Sequence, residues 1–315
     1  MKDTKDFIPV INFLRGIASL SVCAVHTYYI TNLSKFPQFK FLSAGQDGVA
    51  AFLVISGFII PYSLWNSNYE IKNFFSYVLK RSLRIDPPYF VMILLSIISL
   101  QQLDILKLLS HITYFVPFTT YLWYQSIFWT LGIEFQFYLI IGLLFPVFKS
   151  GNIKIVLTII LLIAAGGYFI EVPRSHYFIT HNAHFFAYGL ITLLAKKNKI
   201  SVITWHILIL SLTLYLALTI SIHTAILGYI TSLVIFYLNF QFSITNFLGR
   251  ISYSLYLVHM FFGALLFEYL RRYHIPIPAL FLIIMVWCIL VAYIFYILIE
   301  KPALKLSKSI RFLHK

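Results

Sequence analysis

The sequence predicts an all-α polytopic membrane protein with about ten transmembrane helices and both termini cytoplasmic. Of its 315 residues, 60% are hydrophobic and only 11% charged, about half the charge fraction of an ordinary soluble domain. The apolar residues come in long blocks, on the scale of the ~20 residues a helix needs to cross a bilayer. The lysines and arginines gather in alternate loops, the asymmetry of the positive-inside rule.

The expected spans are 8–30, 46–65, 86–101, 127–148, 155–171, 182–195, 202–220, 223–240, 251–270 and 279–300. The first follows MKDTKDF, shows no small-residue cleavage site and contains Arg15, so it is expected to be a retained span rather than a removed leader. The rest leaves no room for a soluble domain, and 1–315 reads as a single transmembrane domain. Cys23 and Cys288 both fall in spans and read as packing residues, outside any disulfide framework. With the N-terminus inside, 17 of the 24 lysines and arginines are cytoplasmic, among them Lys2, Lys5, Lys72, Lys80, Arg81, Arg84, Arg311 and Lys315. Lys35, Lys40, Lys107, Arg174, Arg271 and Arg272 fall outside. The net charge of +14 is therefore topological. Its expected partners are membrane lipids, through anionic headgroups, and not nucleic acid.

Several polar residues sit where lipid should not tolerate them. Arg15 and His26 lie eleven positions apart in the first span, close to three helical turns, so they share a face about 16 Å apart along the axis. An arginine at that depth costs ~2.5–3.5 kcal/mol unless it meets protein or water. Each residue alone could snorkel to its nearer headgroups; the shared face favours a common polar tunnel. In AGQDGVAAFLVISGFIIPY, 44–62, Gly48 and Gly57 permit close helix approach and Ser56 adds a hydroxyl. Asp47 either orients a partner or caps the helix.

In KRSLRIDPPYF, 80–90, Arg81 and Arg84 share one helical face, and their planar guanidinium groups suit phosphate oxygens. Pro87 and Pro88 are expected to begin a new span there. The alternative is a simple positive-inside anchor. Glu134, in FWTLGIEFQFYLI, is an acid well inside an apolar block. It is neutral, paired with Arg15, or orienting a histidine. In ISYSLYLVHMFF, 251–262, Ser252, Tyr256 and His259 form a stripe that lines a cavity or knits two helices. His176, His181 and His184 match no zinc pattern, so no metal is expected; a site for sugar hydroxyls is the other reading.

Together these segments resemble the acyltransferase-3 family, membrane O-acyltransferases that decorate surface glycans. Arg15-x10-His26 is similar to its first-helix signature. GVAAFLVISGFII resembles GVxxFFxxSGFLI, with Leu53 where a second Phe is usual. Arg81-x-x-Arg84 before Ile85 and Pro87 resembles its arginine motif. WTLGIEFQFY is similar to WSLxxExxFY, SYSLYLVH to SYxxYLxH, and EKPALK to the E-x-P ending. The resemblance implies transfer of an acyl group, usually acetyl from acetyl-CoA, to a hydroxyl of a cell-surface polysaccharide such as a lipopolysaccharide O-antigen, or of its lipid-linked precursor. It implies a bacterial cytoplasmic (inner) membrane, with acyl-CoA and a glycan acceptor as partners. By the same resemblance Arg15, Arg81, Arg84 and Ser56 would hold the donor, with His26 as general base and Glu134 beside it. Tyr256, His259 and His184 would face the acceptor. The main alternative is a transporter or flippase of a lipid-linked saccharide. It would often show matched halves, and no such symmetry is visible.

Overall fold

Backbone N–H and C=O groups find no water in a bilayer core, so long apolar segments must pair them internally as helices. The computed structural model of the protein describes residues 8–67, 69–240, 242–310 and 312, and among these there is no β-strand. Lys2, Lys5, Arg311 and Lys315, counted above as cytoplasmic, lie outside the described residues, as do both chain ends. The helices are α1 Pro9–Ile30, α2 Gly48–Trp65, α3 Phe74–Leu100, α4 Ile105–Ile112, α5 Trp129–Ser150 and α6 Ile153–Gly166. They continue with α7 Ile179–Lys196, α8 Val202–Thr219, α9 Ile222–Tyr237, α10 Ser243–Leu270, α11 Ile277–Phe295 and α12 Lys301–Ser309. Seven helical stretches are long and apolar enough to cross a membrane: Pro9–Ile30, Pro37–Trp65, Ile71–Leu100, Ser126–Ser150, Val202–Thr219, Ser243–Leu270 and Ile277–Ser309. α6, α7 and α9 occupy the other expected positions. α7 packs against α2, α5, α6, α8 and α9, and its buried Asn182 and His184 are kept from lipid by those neighbours.

Several boundaries differ from expectation: α10 begins at Ser243, eight residues before the expected start at 251, and the last stretch runs on to Ser309 rather than ending at 300. The second stretch starts earlier, because a 3-10 segment, Pro37–Asp47, leads into α2. Asp47 makes no side-chain cap bond there. More consequentially, Pro87 and Pro88 do not begin a span: α3 runs through both. Neither proline donates to the carbonyl four residues back, which breaks helices in water. Within a bundle a packed helix tolerates that loss. The carbonyls concerned are those of Leu83 and Arg84, and at the next one, Ile85, Tyr253 Oη of α10 donates at 2.8 Å and ties the stretch to its neighbour. Arg81 and Arg84 are thereby carried into the bundle on a continuous helix.

Small residues set the contact that matters most. α1 and α10 run side by side in the same direction, and Gly16 and Gly249 meet across them. A Cβ on Gly249 would overlap the Asn12 carbonyl, and one on Gly16 would lie 2.9 Å from Leu248 Cβ. Gly57 and Gly189 do the same for α2 and α7, and Gly48 packs on the Ala18 carbonyl of α1. Such close approach is how helices associate without a hydrophobic drive.

Residues 105–128 cover one end of the bundle. His111 Nε2 accepts from the Tyr124 N–H at 3.0 Å, so Nδ1 carries the proton and donates to the Lys107 carbonyl at 2.8 Å. Arg174 donates to four carbonyls of the same cover: Val116 at 3.3 Å, Thr119 at 2.6 Å, Thr120 at 2.9 Å and Tyr121 at 2.8 Å. Tyr114 drops inward, donating to Asp86 of α3 at 2.9 Å and stacking on Tyr89 and Phe135.

Two outcomes are expected. Gly249→Ala forces α1 and α10 apart and lowers the detergent melting temperature by the equivalent of ~1–3 kcal/mol. Gly166→Ala, where an added Cβ meets nothing within 4 Å, has no such effect. Burial holds the His111 imidazole neutral, pulling it down to about 4, whereas the unfolded cover titrates near ~6.5. Between those values the unfolded cover binds the extra proton, so stability is full above the upper value and falls as pH drops through the window. Amide-exchange protection over residues 105–124, taken relative to the intrinsic rate at each pH, therefore falls from pH 6.5 towards 4, and His111→Asn flattens that dependence.

Candidate active site

α1, α2, α3, α5 and α10 line a cleft with about 840 Å³ of empty space, part of it open to the outside. At one end it is lined by Arg15, Ser56, Arg81, Arg84, Glu134 and Tyr138; at the other by Val49, Phe52, Thr130, Leu131 and Tyr256. Arg15, Arg81 and Arg84, brought together from two helices distant in sequence, thus face one space. The ion pairs found among the described residues are Lys72–Glu70 and Arg271–Glu268, both at the exposed surface. None of the three cavity arginines is in one. Arg81 lies between the Tyr77 and Tyr138 rings, 5.6 Å from each centroid, an arrangement that steadies the guanidinium and leaves its N–H edges available.

Glu134 is the cavity's own acid. Its Oε1 accepts from Ser56 Oγ at 3.0 Å and from Tyr138 Oη at 2.7 Å. Of the three roles open to it in the sequence, pairing with Arg15 and orienting a histidine are not seen. It shapes the cavity wall between α2 and α5, with Ser56 as its partner.

The imidazoles meet on the other side of the far wall. His26 Nδ1 lies 2.9 Å from His259 Nε2. His259 Nδ1 is 3.0 Å from the Leu255 carbonyl, which can only accept, so that nitrogen holds the proton. His259 Nε2 is then a lone pair, and His26 must donate to it from Nδ1. His26 Nε2 is left unprotonated, as a base requires. His259, expected on the acceptor side, is thus bonded directly to His26 and knits α10 to α1.

Neither imidazole lines the cavity. Tyr256 stands between, its ring 6.0 Å from His259 and 6.1 Å from Phe52. The tunnel expected from the sequence is therefore divided by one aromatic layer. Tyr256 Oη donates to the Ile127 carbonyl at 2.7 Å and is 2.6 Å from Thr130 Oγ1.

Sequence reasoning gave no role to Glu300. It ends a five-residue π turn, Tyr296–Glu300, a distortion that often marks functional positions. Only 4% exposed, its carboxylate accepts from Ser254 Oγ at 2.6 Å and from the Ser254 N–H at 3.1 Å, and Arg15 and Arg84 are the cations acting on it. The E-x-P ending was the available signal. With Glu134 and Glu300 both ionised, three guanidinium groups still leave a positive surplus. His184 is buried on α7 against Phe185 and lines no part of this cavity. Cys23 and Cys288 are free and buried, and Cys288 Sγ packs 3.6 Å from the His259 carbonyl.

These features agree with what the chain is similar to. The acyltransferase-3 family, described as an acyltransferase domain, matches residues 8–297. A protein of Acidianus two-tailed virus named "Putative acetyltransferase ORF330" is 29% identical over 301 residues, covering 83% of this chain and 85% of that one. No solved structure matches. Guanidinium groups from α1 and α3 around one cavity, the buried imidazole pair and a family match over nearly the whole length lead to one conclusion: this chain belongs to the acyltransferase-3 family of membrane acyltransferases.

Proposed function

We propose that the protein is an O-acyltransferase of a cytoplasmic (inner) membrane, moving an acetyl group from cytoplasmic acetyl-CoA to a hydroxyl of a surface glycan or its lipid-linked precursor. The observation that carries this reading is a cavity with three guanidinium groups outside any described ion pair, ending at Tyr256, whose ring lies against the His259 imidazole that is hydrogen-bonded to His26. Coenzyme A has the matching shape: phosphates at one end, a thioester at the end of a slender arm.

Arg15, Arg81 and Arg84 would neutralise the phosphates through charge-assisted hydrogen bonds. The arm then runs along α2, past Ser56 and Leu53, to the Phe52–Tyr256 layer. From the opposite side an acceptor hydroxyl reaches His26 Nε2. The acceptor oxygen attacks the thioester carbon as its proton passes to Nε2. The tetrahedral intermediate collapses by breaking the C–S bond, and the CoA thiolate recovers the proton from His26. His259 keeps the base in the correct tautomer and orientation. Direct transfer is favoured over an acyl-histidine because donor and acceptor approach the wall from its two sides.

His26→Ala is expected to abolish label transfer from radiolabelled acetyl-CoA to the glycan fraction, with an unchanged melting temperature. Arg81→Ala and Arg84→Ala are expected to raise the KM for acetyl-CoA ~10–100-fold, the equivalent of ~1.5–3 kcal/mol for a lost charge-assisted bond, and to leave acceptor affinity alone. A wild-type protein that neither binds nor consumes acetyl-CoA, yet moves a glycolipid across vesicles, is a transporter, and the proposal is wrong.

A further inference from the structure

The wall between the cavity and the imidazoles contains a hydrogen-bonded triangle. Tyr256 Oη is 2.7 Å from the Ile127 carbonyl oxygen and 2.6 Å from Thr130 Oγ1, and Thr130 Oγ1 is 3.1 Å from the same carbonyl. Three oxygens share two protons. In one arrangement Tyr256 donates to Ile127 and Thr130 donates to Tyr256. In the other Thr130 donates to Ile127, and the Tyr256 proton is free to turn elsewhere. Passing between them leaves no carbonyl unpaired, so it avoids the cost of a buried unsatisfied group.

Both side chains line the cavity, and Ile127 does not. On its other side Tyr256 lies against His259, which holds His26. A thioester carbonyl at the blind end of the cavity therefore meets a releasable phenolic donor, close to where the base would take the acceptor's proton.

We propose that Tyr256 is a catalytic residue of this reaction, its hydroxyl donating to the thioester oxygen as it becomes an oxyanion, while Thr130 takes over the Ile127 carbonyl. This rests on the acyl-transfer reading above. Attack of the acceptor oxygen on the carbonyl carbon sends the C=O π pair to oxygen. Tyr256 stabilises that charge by hydrogen bonding and keeps its proton. When the C–S bond breaks the pair returns, and Tyr256 turns back to Ile127. Preorganised donors aimed at developing charge are a large contribution to catalysis in water-excluded sites. The cavity's other hydroxyls are committed, Ser56 and Tyr138 donating to Glu134, Tyr253 to Ile85 and Ser252 to Gly249, which leaves Tyr256, backed by Thr130, as the donor beside the imidazoles.

The test uses membranes from cells that make the full-length protein, supplied with radiolabelled acetyl-CoA. CoA release and label in the glycan fraction are both read. Tyr256→Phe is expected to lower kcat ~10²–10³-fold, with the KM for acetyl-CoA within about twofold and the melting temperature unchanged. Thr130→Val lowers kcat by a smaller factor, because Tyr256 must then stay on Ile127; Thr130→Ser restores it. In the Tyr256→Phe background Thr130→Val adds nothing further, since the two act as one unit. A merely structural brace gives the opposite pattern: lower melting temperatures, losses that add, and little change in kcat per folded molecule. That pattern, or full kcat in Tyr256→Phe, overturns the proposal. If Tyr256→Phe does not accumulate, an unchanged kcat in Thr130→Val overturns it equally. Wild-type membranes that ignore acetyl-CoA sink the acyl-transfer reading itself, whereas active wild type with an equally active Tyr256→Phe sinks only the role of Tyr256.

Discussion

Charge inside a bilayer is tolerated only where protein or water receives it, and the rest of this molecule is arranged around that constraint. Arg15, Arg81 and Arg84 converge on one cavity with Glu134 in its wall and Glu300 behind it. The acids are held by Ser56, Tyr138 and Ser254 rather than by the arginines. Full pairing would satisfy the bundle and close the site to any anion. Partial compensation keeps the cluster folded while leaving positive charge facing the cavity, as the proposed phosphate-bearing donor requires.

The imidazole pair depends on a different device. His26 and His259 meet because α1 and α10 lie close enough for one hydrogen bond between rings, and the glycines at Gly16 and Gly249 permit that spacing. The Leu255 carbonyl, through His259, then decides which nitrogen of His26 carries the lone pair that the proposed reaction uses. A backbone acceptor inside a helix is as fixed a reference as the fold offers. The orientation of the proposed base is thus inherited from helix packing rather than from a flexible loop.

Much of this was legible in the sequence, and the misses have physical reasons. The eleven-residue interval between Arg15 and His26 held because Pro9–Ile30 is one uninterrupted helix. Ser252, Tyr256 and His259 were legible as a stripe, but the stripe serves two places: Ser252 and Tyr256 line the cavity while His259 turns to α1. That division arises from contacts between residues over two hundred positions apart, which no local pattern encodes. Pro87 and Pro88 misled because proline rules learned in water overstate the penalty within a packed bundle. Glu300 was hidden by the π turn that rotates it inward. The partition at Phe52 and Tyr256, in place of an open tunnel, follows from side-chain packing alone. It gives the proposed reaction two sides, with donor and acceptor separated until they meet at the ring.

The central claim is that one elongated anionic thioester cofactor fills the path from the guanidinium cluster to that partition. The most direct measurement is an electron cryo-microscopy structure of the protein in lipid nanodiscs with saturating coenzyme A. The account predicts phosphate density among Arg15, Arg81 and Arg84 and the sulfur at the Phe52–Tyr256 wall. Cofactor density elsewhere on the protein, or a cavity filled only by lipid at saturation, would contradict it.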